Sequence, residues 1–479
     1  MAGSVNATPG FDLQPSAERV PVATNYITNF DFLNQYLPDT YEKEFERYGN
    51  RTVSGFLRMV GAEMPTNSDM IKWAEQGRLH TKYTQCETTN AAGATTAAVQ
   101  FTVGDALNPG TGGIAIRVGQ TVFITETAGN NQASNKGVVT DVDYTAGTFD
   151  VKYYELAQAV AANTDCTVMI YGSEFAKGTN GMSESLEADD FIFDNKPIII
   201  KDKYAVSGSD MAQIGWIEVT TENGASGYLW YMKSEHETRL RFDDYLETAM
   251  IEAVPAAVGS GAEDYLAGAT AFGAGTVNAG SEGIFYAVEN RGNLWSGGIP
   301  TALADFDAII SRLDKQGSIE ENVIFVDRDF SFAIDDMLAA QNSYGAGGTS
   351  YGLFDNDEQM ALNLGFTGFR RGYDFYKSDW KYLNDPTMRG DLTNGVVNGM
   401  LVPAGSTTVY DQVLGKNAKR PFLHVRYRAS ETEDRRYKTW ITGSAGGAMN
   451  SDLDAMEVHF LSERAVCVMG ANNFFIFEG

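Results

Sequence analysis

The sequence predicts an α+β chain in which a small β-barrel or sandwich interrupts a larger mixed unit. A helical pattern without Pro or Gly runs from residue 228 to residue 254. Short strand-like runs separated by turn residues fill 87–185. Amphipathic helices alternate with an apolar strand between residues 300 and 341, which indicates a further mixed part.

Composition and net charge limit the classes of protein to which this chain can belong. The 479 residues are 43% hydrophobic and 21% charged, typical of a globular protein of two to four domains. The net charge of −27 argues against nucleic-acid binding, which depends chiefly on Lys and Arg. No signal peptide or membrane-spanning run is apparent. Three cysteines are too few for a disulfide framework, so we expect reduced core thiols, although Cys86 and Cys166 could lie near each other.

The first eighty residues mix an arm with helical signals. Residues 1–30 are small, polar or proline and predict an extended arm. Helical signals follow from Asp31 to about Tyr83, and Asn67 and Ser68 resemble a helix N-cap. We expect an extended strand to begin within 77–86.

The stretch 87–185 is rich in Thr, Ala, Gly and Val and lacks helical periodicity. About five short strands in roughly a hundred residues predict a small barrel or sandwich, similar to the SH3 or OB type. Thr145-Ala146-Gly147 has the composition of a hairpin turn. Strands predicted near 78–86 and 196–206 flank this module, so we expect it at the tip of a long hairpin. The runs within the module are 97–103, 114–127, 136–155 and 166–172.

The longest predicted helix covers Ser226 to Val254. Apolar residues recur at helical spacing, good helix formers fill the gaps, and a proline follows. Opposite charges stand four apart at Glu235–Arg239 and Glu237–Arg241. At about 1.5 Å per residue this helix would span roughly 40 Å and needs a long surface to lie on.

The second half begins with a stretch rich in Gly and Ala, 256–298, which predicts a loop region with little core. Beyond it we predict a helix at 301–313, a buried strand at 322–326 and a helix at 327–341. Strands and turns are predicted in 361–383, 395–411 and 456–477.

Motifs for catalysis or metal binding are missing from the sequence. The four histidines share no metal spacing, and no phosphate-binding glycine loop or nucleophile elbow occurs. The acidic segments 141–147 and 354–359 lack the glycine and glutamate of a calcium loop. We interpret them as solvated acidic turns, with a weak cation site as the alternative. We therefore predict no enzyme activity, no metal and no cofactor.

Basic residues cluster with carboxylates in the last third of this acidic chain. Two interpretations are open: ion pairs within the chain, or ion pairs between identical subunits. The candidate inter-subunit charge contacts are Arg370, Arg371, Lys419, Arg420, Arg426, Arg428, Glu431, Glu433, Asp434, Arg435, Arg436 and Lys438.

The order of arm, short helices, hairpin, long helix, αβ part and closing strands resembles the major capsid proteins of tailed bacteriophages, which have the Hong Kong 97-type fold. The resemblance covers nearly the whole chain. Four stretches are similar to the crAss-like phages (Crassvirales): YEKEFERYGNRTVSGFLRMVGAEMP (41–65), WAEQGRLHTKYTQ (73–85), KPIIIKDKYAVSGSDMAQIGW (196–216) and FLSERAVCVMGANNF (460–474).

This resemblance implies a division of the chain into named parts. They are an N-terminal arm (1–30), N-terminal helices of the peripheral region (31–75), an E-loop (76–208) with the inserted β-module at about 87–185, a peripheral domain (209–299) with its spine helix at 226–254, an axial domain (300–450), and C-terminal strands that return to the peripheral domain (451–479).

The resemblance also implies a function. Copies of the chain would assemble as pentamers and hexamers into an icosahedral phage head that encloses double-stranded DNA without binding it specifically. A portal and auxiliary or decoration proteins would be further partners, and no membrane would be involved. The subunit would assemble in the host bacterial cytoplasm and reside in the virion. The alternatives are an encapsulin-like bacterial shell protein, a surface β-protein or adhesin, and an enzyme with an unrecognised site.

Overall fold

The chain forms two units, and Met70–Asn195 is the smaller one. The larger unit comprises Lys196–Gly479 and the described residues before Met70. The predicted arm at 1–30 and the helices predicted within 31–56 lie outside the described residues. The computed structural model describes residues 57, 62–80, 82–89, 96–101, 114–127, 133–155, 160, 165–183, 190–212, 219–220, 226–227, 230–268, 279–317, 319–342, 367–411, 416–447 and 449–479.

Strands outnumber helices in the described chain. The strands are β1 (Ala62–Thr66), β2 (Ile71–Gln76), β3 (Lys82–Thr88), β4 (Thr96–Phe101), β5 (Gln120–Glu126), β6 (Ser134–Asp143), β7 (Thr148–Tyr153), β8 (Asp165–Ser173), β9 (Asp190–Asn195), β10 (Ile198–Ser207), β11 (Val219–Thr220), β12 (Ser226–Gly227), β13 (Asn293–Trp295), β14 (Glu321–Val326), β15 (Gly368–Arg371), β16 (Tyr373–Asp379), β17 (Val397–Pro403), β18 (Ser406–Asp411), β19 (Lys416–Pro421), β20 (Leu423–Arg428), β21 (Lys438–Gly443), β22 (Ala455–Val468) and β23 (Phe475–Glu478). The helices are α1 (Gly208–Met211), α2 (Trp230–Glu252), α3 (Gly261–Gly268), α4 (Ile284–Arg291), α5 (Leu303–Gln316), α6 (Arg328–Asn342) and α7 (Lys381–Asn384), and a 3-10 turn covers Ala471–Asn473.

The first sheet of the larger unit is built around β22. Its order is β1–β20–β22–β10, and β21 also pairs with β22. The strand β22 pairs with β10 on one edge, and with β20 and β21 in succession on the other. The first half of β22 alternates between apolar and polar residues, whereas Ala465 to Val468 are all buried. The second half is therefore covered on both faces.

The helix α2 packs on this sheet. Phe242 and Leu246 form a core cluster with Val206 of β10 and with Val458 and Phe460 of β22. The helix begins at Trp230, later than predicted, because Ser226–Gly227 pairs with β11 as a short strand. Its 23 residues span about 34 Å.

The charge pairs predicted on α2 differ from those observed. Glu237 pairs with Lys233 at 3.9 Å, in the same i,i+4 spacing but toward the N-terminus. Arg241 reaches Asp202 of β10 at 3.4 Å. Asp202 of the sheet thus replaces Glu237, the partner that helical spacing predicted for Arg241.

The second sheet of the larger unit has helices on both faces. Its order is β13–β23–β17–β14–β16–β15. Successive residues of β14 enter different clusters, because side chains of a strand alternate between its faces: Ile324 packs with α5 and α6, and Phe325 packs with α4 and the end of α2. The prediction of little core in 256–298 is wrong, since Ile284, Phe285, Ala287 and Val288 of α4 are buried.

Strand pairing crosses the predicted domain boundary at residue 450. The strands β20 and β21, assigned to the axial part, pair with β22 in the first sheet. The strand β23, assigned to the peripheral part, pairs with β13 and β17 in the second sheet. A division by chain position fails here because both sheets are completed by partners distant in sequence.

Six strands of the smaller unit close into a barrel in the order β3–β4–β7–β6–β5–β8. Each neighbouring pair is antiparallel. Alternate residues such as Val122, Ile124 and Val168 fill the interior. The turn between β6 and β7 is at the predicted position: Asp143 Oδ1 accepts hydrogen bonds from the backbone N–H of Thr145 and Ala146 at 2.9 and 3.0 Å.

A two-stranded ladder flanks the barrel in sequence. The strands β2 and β9 pair antiparallel, with Trp73 opposite Phe193. Strands are present near both predicted positions, 78–86 and 196–206, but they do not pair with each other as the predicted flanking hairpin. Residues 82–88 belong to the barrel as β3, and 198–207 form β10, which pairs with β22.

The helical prediction is wrong for the described residues 62–76. The strands β1 and β2 occupy this stretch, and Asn67 and Ser68 lie between them. Burial alternates residue by residue along β2, which is the period of a strand. Asn67 and Ser68 therefore precede a strand and do not cap a helix.

We predict that Phe242→Ala lowers the free energy of unfolding of the larger unit by about 3–5 kcal/mol. Phe242 is fully buried, and its ring lies 5.4 Å from that of Tyr437 and 5.7 Å from that of Phe460. Urea unfolding followed by circular dichroism measures the loss. Tyr245→Ala on the exposed side of the same helix is the control and should change the midpoint little. Equal losses in both variants would contradict the packing described.

Candidate inter-subunit charge contacts

The predicted charge contacts all fall in the larger unit, in three places. Arg370 and Arg371 end β15. Lys419 and Arg420 lie in β19, opposite Thr408 and Thr407 of β18, and their side chains are outside the described part of the structure. The other eight lie between β20 and the start of β21: Arg426, Arg428, Glu431, Glu433, Asp434, Arg435, Arg436 and Lys438.

The two arginines of β15 have partners within the chain. Arg370 Nε lies 3.1 Å from Asp374 Oδ1, directly across the β15–β16 ladder. Arg371 donates two hydrogen bonds to Asp307 of α5, with Nη2–Oδ2 at 2.7 Å. These bonds favour the charged carboxylate and hold the pKa of Asp307 below its usual range.

Glu63 of β1 is the centre of a second group. One of its oxygens accepts from Arg436, and the other lies 3.4 Å from Nη1 of Arg464 in β22. The Arg464 guanidinium is buried, and it also donates to Ser462 Oγ at 2.9 Å and to the carbonyl oxygen of Arg436 at 3.0 Å. A buried charge with this many partners fixes the position of the strand that carries it.

The remaining described charges also pair locally. Arg428 pairs with Asp69, Arg435 Nε lies 2.7 Å from Glu463, and Lys438 pairs with Glu433. The hydrogen bond from Lys438 lowers the pKa of Glu433. Asp434 accepts a hydrogen bond from the backbone N–H of Arg436 at 2.8 Å. Arg426 is half-buried in the middle of β20, and Glu431 is exposed.

Ion pairing within the chain is thus observed for seven of the candidates: Arg370, Arg371, Arg428, Glu433, Arg435, Arg436 and Lys438. Contact between subunits stays a prediction for the set. Among these seven, the side chain of Arg370 is 73% exposed and offers the most surface to a neighbour.

Sequence reasoning missed the residues that complete these groups. Glu63 and Arg464 are 401 positions apart, and Arg464 lies within an apolar closing strand. The available signal was the arginine itself, because an arginine inside an apolar strand needs a partner. Nothing in the spacing indicated which carboxylate that partner would be.

A further carboxylate was missed at the end of α2. Glu252 accepts two hydrogen bonds from Arg389, with Nη2–Oε2 at 2.8 Å, and one from the Tyr382 hydroxyl at 2.6 Å. The Arg389 guanidinium lies 4.7 Å from the centroid of the Phe285 ring. Burial raises the pKa of the nearby Glu289, and the charges of Glu478 and Glu252 add to the effect. This group joins α2 to the segment after α7.

A cleft of about 550 Å³ lies beside Glu63 in the larger unit. Its charged lining consists of Glu63, Asp243, Glu247, Asp434, Arg436 and Arg464. Two of these charges, Arg436 and Arg464, neutralise Glu63.

In the part of the chain that the structure describes, no three His, Cys, Asp or Glu side chains are grouped to hold a metal ion. Nor do the described helices include one with the length and apolarity needed to cross a bilayer.

The histidines occupy structural positions where the structure describes their contacts. His424 is buried in β20, with Nδ1 3.2 Å from the carbonyl oxygen of Pro421. His459 stacks on Trp440 with ring centroids 5.0 Å apart and lies 2.8 Å from the Thr442 hydroxyl. These contacts fit the interpretation of core or ion-pair residues.

Comparisons with known proteins give distant likenesses. No protein-family model and no curated protein matches the chain. A solved structure from Microbacterium phage Oxtober96 is 9% identical, covers 94% of this chain and 98% of its own, and has a TM-score of 0.38. The capsid of a native GTA particle is 8% identical over 95% and 99% of the two chains, with a TM-score of 0.38. The mature capsid of bacteriophage PhiM1 is 11% identical over 64% of this chain and 78% of its own, with a TM-score of 0.31. Likenesses at this level do not establish a shared fold.

We predict that Asp307→Asn lowers the free energy of unfolding of the larger unit at neutral pH and leaves it unchanged in acid. The folded-state pKa of Asp307 is lowered, so its stabilisation is present above the unfolded-state pKa, about 4, and is lost as pH falls through the folded-state value. Urea midpoints measured between pH 7 and pH 3 should therefore converge for the two proteins.

The matched control for this pair is Arg371→Met. It should show the same deficit at pH 7, and the double variant should show no further loss, because the two residues act on one interaction. A deficit that stays constant down to pH 3 would contradict the pairing.

Proposed function

We propose that this chain is the major capsid protein of a tailed bacteriophage, with the Hong Kong 97-type fold. Its copies assemble as pentamers and hexamers into an icosahedral head around double-stranded DNA. Portal and auxiliary proteins are its further partners, and the crAss-like phages are the lineage that its sequence resembles. The function is assembly, so no reaction is assigned to the chain.

One observation carries the proposal. The chain leaves the first sheet after β1, forms the β2–β9 ladder and the barrel, returns as β10, and only then forms the long helix α2. The helix packs on the sheet that β10 and the closing strand β22 share. An excursion of this kind followed by a long helix on a sheet is the order that the capsid resemblance implies.

We propose parts of the subunit that follow strand pairing instead of chain position. Met70–Asn195 is the E-loop with its inserted barrel. The first sheet with α2 is the peripheral domain and includes β20 and β21, whereas the second sheet with α5 and α6 is the axial domain and includes β23.

The charge of the chain fits a container for DNA. At −27 the subunit repels phosphate, so a wall of such subunits encloses DNA without binding it tightly.

Assembly is the direct test. The purified chain, concentrated to tens of micromolar, should give closed shells or ring-shaped capsomers in electron micrographs, because shell interfaces repeat identical contacts between copies. A strict monomer at this concentration, also when co-expressed with the portal and auxiliary proteins of its phage, would overturn the proposal.

We predict that Arg370→Glu reduces the yield of shells several-fold while leaving the subunit folded. Its pair with Asp374 is exposed, so the loss of the pair and the new carboxylate opposite Asp374 each cost about 1 kcal/mol or less. A reversed charge in an inter-subunit contact, in contrast, repels the neighbouring copy. Shell yield by sedimentation and Tm by scanning calorimetry separate the two effects.

Lys201→Glu is the control for the Arg370 variant. It makes the same charge change at an exposed position of β10, outside the predicted contact set. It should assemble like the unchanged chain. If Arg370→Glu assembles fully, Arg370 makes no contact between subunits, and the proposal that the chain forms shells is unaffected.

A further inference from the structure

We propose that Cys86 and Cys166 form a disulfide when the protein reacts with a low-molecular-weight disulfide. The bond would link β3 to β8, and the boundary between these two strands is called the seam of the barrel below. This inference concerns a modification site within the smaller unit and does not depend on the capsid proposal.

The backbone places the two cysteines opposite each other. Strands β3 and β8 are antiparallel neighbours, and Cys86 is the register partner of Cys166. Opposed residues in such a ladder have Cα atoms about 4.5–5.5 Å apart, inside the 4.4–6.8 Å range of disulfides. Their Cβ atoms, about 4.5–5.5 Å apart, must approach by roughly 1 Å to reach bonding geometry.

The local irregularity of β3 makes that approach feasible. The register of the ladder shifts between Tyr83 and Cys86, which marks a bulge immediately before the cysteine. A bulge interrupts the regular ladder, so a shift of Cys86 toward β8 by roughly 1 Å disturbs few of its hydrogen bonds.

Both side chains point into the same space. Cys86 and Cys166 are each fully buried and belong to the same core cluster, with Val122, Ile124 and Val168. Register partners project to the same face of a sheet, and here that face is the interior of the barrel. The remaining cysteine, Cys467, is buried in β22 of the larger unit, so it does not belong to this barrel core.

The surroundings keep the pair in the thiol form while the barrel is closed. Burial and the carboxylates of Asp165, Glu126 and Glu87 raise the pKa of Cys166 to about 12. Exchange requires a thiolate, so the closed barrel reacts slowly. Opening of the β3–β8 seam admits both water and the oxidant. Once the seam closes again, the same burial shields the disulfide from reductants.

The reaction is two successive exchanges with oxidised glutathione as the probe. One cysteine loses its proton, attacks a glutathione sulfur and expels the first glutathione thiolate, which leaves a mixed disulfide. The second cysteine loses its proton, attacks the protein-bound sulfur and expels the second glutathione. The protein dithiol is oxidised, one glutathione disulfide is reduced to two thiols, and the two expelled thiolates take up the two protons.

The link would act on the whole barrel, because β3 and β8 are its first and last strands in the chain. All the other barrel strands lie in the loop that the disulfide closes. A crosslink over such a long loop restricts the unfolded chain strongly, and a rise in the Tm of the barrel of roughly 10 °C follows.

The test uses the full chain. It is treated with oxidised glutathione, once under native conditions and once through a cycle of mild urea and dilution, and then quenched with N-ethylmaleimide in concentrated urea, so that every remaining thiol is accessible. We expect an intact mass 2 Da below that of the dithiol before the maleimide is counted, and one maleimide adduct, on Cys467. Peptide mapping should recover the 86–166 crosslink, faster after the urea cycle, and hydrogen exchange should slow in β3 and β8.

The variants make the result specific. Cys166→Ala should abolish the crosslink, and Cys467→Ala should leave it unchanged. Since Cys166→Ala empties a buried site, the crosslink and the exchange rates in the unsubstituted chain remain the primary readout. A glutathione adduct that persists without crosslinking, a disulfide that involves Cys467, or unreacted thiols after the urea cycle would each overturn the proposal.

Discussion

The larger unit depends on the pairing of one strand, β22. It forms a full ladder with β10 along one edge and two successive ladders with β20 and β21 along the other. Its inward side chains are the surface on which α2 packs, and its buried Arg464 draws β1 toward it through Glu63. The short connection after it leads into β23, which lies between β13 and β17 in the second sheet. Both sheets are therefore positioned by one continuous segment, Ala455–Glu478.

Much of the local structure could be predicted from the sequence, because local periodicity and turn chemistry determine it. The amphipathic pattern predicted α5 to within three residues at each end, and the apolar run at 322–326 is β14. The turn at Thr145–Gly147 was predictable because Asp143 sits where its side chain caps the backbone, and Gly147 adopts a φ of +67°. A few adjacent residues determine the structure of each of these elements.

The errors have a common physical cause, which is that tertiary partners decide what local patterns leave open. Residues 71–76 have good helix formers, but β9 provides a ladder and the period-two burial prevails. The core helix α4 is hidden in a stretch whose Gly and Ala content dominates its composition. For the arginines of the charge set, partners such as Asp307, Glu463 and Glu63 lie on other elements, and no spacing rule predicts them.

The late position of β22 and β23 in the chain has a consequence for biosynthesis. A ribosome makes about 5–20 residues per second, and segments fold as their partners emerge. The barrel has all its strands before residue 174, so it can close while the remainder is still being translated. Neither large sheet can be completed until the segment after residue 454 has left the ribosome. The larger unit is therefore completed only after this segment emerges, well after the barrel has had the chance to close.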